Sequence, residues 1–163
     1  MQNPIYLTRQ AFNSMGENGG YGKSNSLYQE AIRLDDKFTF AAHYNLGYSI
    51  LRATGHGSKS NAKDASQARS HLLQAMMQLE NYIIPAWQGM QIMLGGSAAA
   101  SELMGQLQSK IDLLQLQVRY IENAIGVIDN AKSDQIIRVK NPKFLEELLD
   151  SSSLPAAEIR ELQ

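Results

Sequence analysis

An all-α fold is what this sequence predicts, and three observations predict it. Apolar residues recur at helical spacing almost throughout the 163 residues, with no convincing alternating strand. From Leu107 to Ile128 they form a seam of heptads, Leu107, Ile111, Leu114, Val118, Ile121, Ile125 and Ile128. Between Ala42 and Ala75, small residues stand where two neighbouring helix backbones would have to approach closely, at Gly47, Ala68 and Ala75. A large side chain at any of these should overpack the contact.

The elements follow in order. A first helix covers Ile5 to Met15 and stops in the glycine-rich stretch Gly16 to Gly22. A second runs from Ser24, a good N-cap, to Leu34, with Asp35 and Asp36 marking its exit. The third spans about Thr39 to Ala53 and is followed by a polar loop, Gly55 to Asn61, rich in Gly and Ser. A fourth covers Asp64 to Leu79. Pro85 suits the first position of a fifth, which ends near Gly95 and Gly96. A long helix then extends from about Ala98 to Ala131. Beside its heptad seam lies a second apolar stripe, Leu113, Leu116, Tyr120 and Val127, and a helix apolar on two sides needs two neighbours. Asn141 and Pro142 cap and open a short helix through Leu149. Ser151 to Ser153 read as a linker, and a helical pattern without a stop signal runs to Gln163, as in an excerpt of a longer protein. The expected division is 1–97 for the helical pairs, 98–140 for the long helix packed on them, and 141–163 for the C-terminal segment.

Composition narrows the function. A hydrophobic fraction of 44% with 19% charged residues is that of a folded globular chain, and a net charge of −1 gives no global attraction to nucleic acid or anionic membrane. Cysteine is absent, which excludes disulfides and thiolate zinc sites and suits a reducing compartment. The start, Met1-Gln2-Asn3-Pro4, has no secretion-signal pattern, and no apolar run is long enough to span a bilayer. The expectation is a cytoplasmic protein with no membrane and no nucleic-acid partner.

Leu27 to Asp36 closes one helical unit and Ala68 to Glu80 a longer one. Trp87, Met90 and Leu94 repeat the spacing of His43, Leu46 and Ile50 at an offset of 44 residues, which comes near a 34-residue helical-pair period once an insertion around Gly55 to Ala65 is set aside. In Tyr44, Leu46, Gly47, Ala68 and Ala75, in Tyr28, Ala31 and Leu34, and in Trp87, the chain resembles the tetratricopeptide repeat family over about residues 5 to 95. The middle unit departs from that pattern by an insertion around Gly55 to Ala65, and the first has Ala11-Phe12 in place of Leu-Gly. The resemblance implies two to three antiparallel helical hairpins with a peptide-binding groove lined by the first helix of each pair. The groove would hold Arg9, Asn13, Tyr44, Asn45, Tyr48 and Arg52. Some family members clamp a peptide carboxylate there. Arg9, Asn13 and Asn45 fall on three of those positions, but Pro85 and Gly89 occupy the two basic ones.

Other constellations read as structure rather than chemistry. Gly22-Lys23-Ser24 has the ending of a phosphate-binding loop, but Glu17 stands where the first glycine belongs and no apolar strand precedes it. His43, His56 and His71 lack the one-turn spacing of zinc ligands. Asp35 with Asp36, and Glu146 with Glu147, are adjacent and diverge on a helix. Met76, Met77, Met90, Met93 and Met104 suit core filling. Lys132, Arg138, Lys140 and Lys143 lack the interleaved aromatics of a nucleic-acid site. The expected function is a non-catalytic interaction or scaffold module for a protein or peptide partner, without cofactor or metal. The alternative is a homodimer formed through Leu107, Ile111, Leu114, Val118, Ile121 and Ile125 on the long helix.

Overall fold

The computed structural model describes residues 3–17, 20–54, 62–95 and 101–131, with the side chains of 52–54, 62 and 101 excluded. Every regular element among them is helical: α1 (Pro4–Asn13), α2 (Gly22–Leu34), α3 (Phe40–Thr54), α4 (Ala62–Gln78), a π-helical turn (Leu79–Ile83), α5 (Ile84–Leu94) and α6 (Ser101–Asn130). The expected loop at 55–61, the short helix at 141–149 and the basic residues from Lys132 onward lie outside the described residues.

Local chemistry sets the helix ends. Asn3 caps α1, its Oδ1 accepting the Ile5 N–H at 2.8 Å, and Pro4 at the first position loses nothing by lacking an N–H. Ser24, expected to cap α2, instead lies inside the first turn, and its hydroxyl donates to the Tyr21 carbonyl at 2.9 Å. Asp35 ends α2 in extended backbone, and its carboxylate accepts the Lys37 and Phe38 N–H groups, an Asx-type turn that starts the reversal toward α3.

Helix α3 is the centre of the fold. Every residue from Phe40 to Ser49 is buried, because one side meets α1 and α2 and the other meets α4 and α6. A helix buried all round must be apolar or internally satisfied all round. Leu46 and Ala42 pack with Leu7, Ala11, Tyr28 and Ala31, whereas Phe40, Tyr44, Tyr48 and Leu51 join the larger cluster with Leu72, Leu79, Trp87 and the α6 seam. Gly47 permits the close α3–α4 approach: a Cβ built on it would lie 2.9 Å from the Leu72 Cγ and 3.2 Å from the Ala68 carbonyl oxygen.

One expected break does not occur. The sequence places a turn between Leu79 and Pro85, which a third antiparallel hairpin would need. Instead α4 passes through the π turn directly into α5. Proline lacks an N–H and its ring clashes with the carbonyl four residues back. Wider π turns recur where an α-helix must admit such an irregularity. Here the Ile84 N–H bonds to the Leu79 carbonyl, five residues back.

Gln78, at the end of α4, anchors this continuous stretch to the α2–α3 connection. Its carbonyl oxygen accepts the Thr39 N–H at 2.8 Å, and its amide N–H groups donate to the Asp36 carbonyl and the Thr39 hydroxyl, each at 3.2 Å. The side chain is buried, so Gln78→Ala leaves the Thr39 N–H and the Asp36 carbonyl without this partner. A loss of about 2–3 kcal/mol in urea-unfolding free energy is the expected outcome; a change within about 0.5 kcal/mol, the range of neutral surface substitutions, would show that the anchor carries no weight.

Candidate functional site

Of the six residues assigned to a groove, the three on α3 whose side chains are described are buried and line no open surface. Arg9 and Asn13 are exposed on α1, one turn apart. Tyr44, Asn45 and Tyr48 are buried on α3, and the side chain of Arg52 lies outside the described residues. The Asn45 amide donates to the Tyr28 hydroxyl at 3.1 Å, and that hydroxyl contacts the Met15 sulfur at 3.2 Å. Tyr44 and Tyr48 stack at a tilt with centroids 4.6 Å apart and share a side-chain hydrogen bond. Burial pushes both phenols, and that of Tyr28, above the ordinary tyrosine range. These three α3 side chains are therefore core and face no open surface. The physical reason is that α6 and α4 cover the side of α3 that a shorter array of hairpins would leave open.

The α6 seam meets the same fate. Leu107, Ile111, Leu114, Val118 and Ile121 are buried and Ile125 is partly buried against the core, so this face is occupied internally and is not available to a second chain in this structure. Arg69 on α4 and Asp129 on α6 pair through two contacts of 2.7 and 3.3 Å, which fixes the far end of the long helix on α4. Gln91 on α5 bonds Gln108 on α6 at 2.7 Å and aligns the near end.

What remains open is the second stripe of α6. Leu116, Tyr120 and Val127 are 38%, 48% and 40% exposed, and Leu113 is half-buried at the edge of the core. Positions 113, 116, 120 and 127 fall within about one-sixth of the helix circumference at 100° per residue. The stripe was legible as a second apolar face; that it would stay uncovered while the seam is buried was not. At the α5 terminus Ile92 and Met93 are also strongly exposed.

The remaining chemistry-bearing groups are built into packing or surface pairs. His43 and His71 face each other across the α3–α4 contact with Nδ1 atoms 3.0 Å apart. Burial, and secondarily the neighbouring His71, lowers His43 to about 3; burial lowers His71 as well. Both imidazoles are thus neutral at pH 7, one donating and the other accepting. Lys23, in the first turn of α2, pairs with Glu17 at 3.5 Å on the surface. No group of three or more metal-ligating side chains forms among the described residues. None of the described helices is long and apolar enough to cross a membrane. Comparison with protein-family models, curated proteins and solved structures finds no match for the chain.

Proposed function

We propose that this chain is a non-catalytic helical interaction module that engages a helical segment of a protein partner through the outer face of α6. One observation carries the reading: three large apolar side chains, Leu116, Tyr120 and Val127, stand exposed at helical spacing on a helix whose opposite face is already buried. Such a stripe suits an amphipathic helix whose anchors recur at i, i+3 or i+4, and i+7. The packing of α4 and of α5 against the inner side of α6 supports it as a rigid platform, which lowers the ordering cost of binding. A tetratricopeptide-like origin of the scaffold is supported by the consecutive pairing of α1 with α2 and α3 with α4, and by the Gly47 contact with Leu72 and Ala68. In this reading the working surface is not the family's groove, because Tyr44, Asn45 and Tyr48 are core.

A random-peptide display selection on the folded chain tests the proposal. Selected peptides should carry Leu, Ile or Phe at helical spacing, and a Leu116→Glu, Tyr120→Glu variant should bind them at least about tenfold more weakly, the loss expected when two central anchors go. Both substitutions lie on the surface, so the melting temperature should stay within a few degrees. Peptides without helical spacing, or equal binding by the variant, would refute it. Light scattering on the unmodified chain addresses self-association: a dimer that becomes monomeric in the variant makes a second copy the occupant of the same stripe.

A further inference from the structure

The stripe on α6 ends where the chain leaves the described residues. Val127, its last anchor, stands about one turn before Asn130, the end of α6, and residues 132–163 follow. Among these, and outside the described residues, the sequence predicts a helix opened by Asn141 and Pro142 and running to Leu149. At 100° per residue, Phe144, Leu145, Leu148 and Leu149 fall on one arc of about 140°, and Lys143, Glu146, Glu147 and Asp150 on an opposite arc of about 100°. A helix of that pattern is amphipathic, and its apolar side needs a surface to cover it.

Length, reach and charge match the stripe. From Leu116 to Val127 the stripe extends about 16 Å along α6, and a helix from Pro142 to Leu149 is about 12 Å long. Residues 131–140 can span at most about 33 Å, enough to turn the chain back over Val127. The tether starts at the Val127 end, so the direct return is antiparallel. Arg119 is the only basic residue of α6 beyond Leu113. It is exposed on the flank of the stripe and stands outside the ion pairs formed among the described residues. With Pro142 beside Val127, Glu146, Glu147 and Asp150 come within about 6 Å of Arg119 along the axis.

We infer, on the reading of the stripe as a helix-docking face, that segment 141–149 of this chain is its resident occupant. The segment folds back antiparallel over Leu116, Tyr120 and Val127 and competes there with a partner helix. The tether holds it at an effective concentration in the millimolar range, so a weak intrinsic affinity suffices. A helix this short docks in exchange with the open face, which leaves Tyr120 reachable through the undocked fraction.

The chain contains no cysteine, so one introduced as Ser152→Cys takes a nitroxide label at a single place. In the full chain, docking should broaden the methyl signals of Leu113 and Leu116 more than those of Val127, because the label follows the segment toward Leu113. A tail that does not dock stays tethered beside Asn130 and broadens Val127 most. Leu145→Glu with Leu148→Glu, both outside the described residues, should produce that second order. The same variant of the full chain should bind peptides selected on the stripe about tenfold more tightly. Arg119→Glu should weaken docking, and adding Glu146→Lys with Glu147→Lys should rescue it. Strongest broadening at Val127 in the parent, or unchanged broadening in Leu145→Glu with Leu148→Glu, would overturn the inference. Broadening of unlabelled chains mixed with labelled ones would move the segment onto a second copy and overturn it too. The label reads docking without any partner, so a failed peptide selection leaves this result standing. Failure of docking, in turn, leaves peptide binding to the stripe intact.

Discussion

Gly47→Leu should cost about 3 kcal/mol of folding free energy. Even a bare Cβ would stand 2.9 Å from the Leu72 Cγ and 3.2 Å from the Ala68 carbonyl oxygen. The Leu72 Cγ is not the free end of a side chain, and Leu72 is itself fully buried, so neither neighbour can retreat without moving α3 off α4. Alanine at the same place should cost about 1–2 kcal/mol net, since the overpacking is partly offset by roughly 1 kcal/mol of better helix propensity. For a chain of this size, 3 kcal/mol corresponds to a fall of about 6–12 °C in Tm. Calorimetry on the two variants checks it, and a Tm for Gly47→Leu equal to that of the parent would remove the close α3–α4 contact from the account.

Acid sensitivity is the second large expected effect. In the folded chain His43 stays neutral down to about pH 3, held there first by burial and then by the adjacent His71. In the unfolded chain its imidazole takes up a proton near 6.5. The unfolded state therefore binds more protons below pH 6.5, and stability falls as pH drops from that value toward 3; above 6.5 the full stability is present. From pH 7.5 to 5, His43 alone removes about 2 kcal/mol, and His71, lowered by burial too, acts in the same direction. This window lies above the ordinary carboxylate range, so it isolates the histidines. Urea midpoints at the two pH values should differ accordingly in the parent. In His43→Phe, which keeps a buried ring, most of the difference should disappear; an identical pH dependence would mean that the pair is not the cause.

The extent to which the sequence disclosed this molecule differs by feature. All six α-helices lie within about two or three residues of where apolar spacing, capping residues and glycine put them, because each of those signals is local. The close contact at Gly47 was also visible, since a missing side chain at a helix crossing has few other uses. The π turn was not: Pro85 marks a helix start and an irregular helix interior alike, and only the surrounding packing decides between them. Gln78 was equally hidden, because its partners Asp36 and Thr39 lie some 40 residues away in the chain. The groove was misplaced for a different reason. Family resemblance assigned Tyr44, Asn45 and Tyr48 to a concave surface, although Phe40, Ala41, Ala42, Leu46 and Leu51 on the same helix make it apolar all round. That pattern indicates a helix enclosed by neighbours, and it was the better guide.

Nitration of the native chain with tetranitromethane, mapped by mass spectrometry, tests most directly that α3 is interior and that α6 presents the open face. Tyr120 on the α6 stripe, together with the exposed Tyr6 and Tyr82, should be modified, while Tyr28, Tyr44 and Tyr48 stay intact until the chain unfolds. Modification of Tyr44 and Tyr48 at the rate of Tyr120 would restore an open groove along α3 and contradict the surface proposed here.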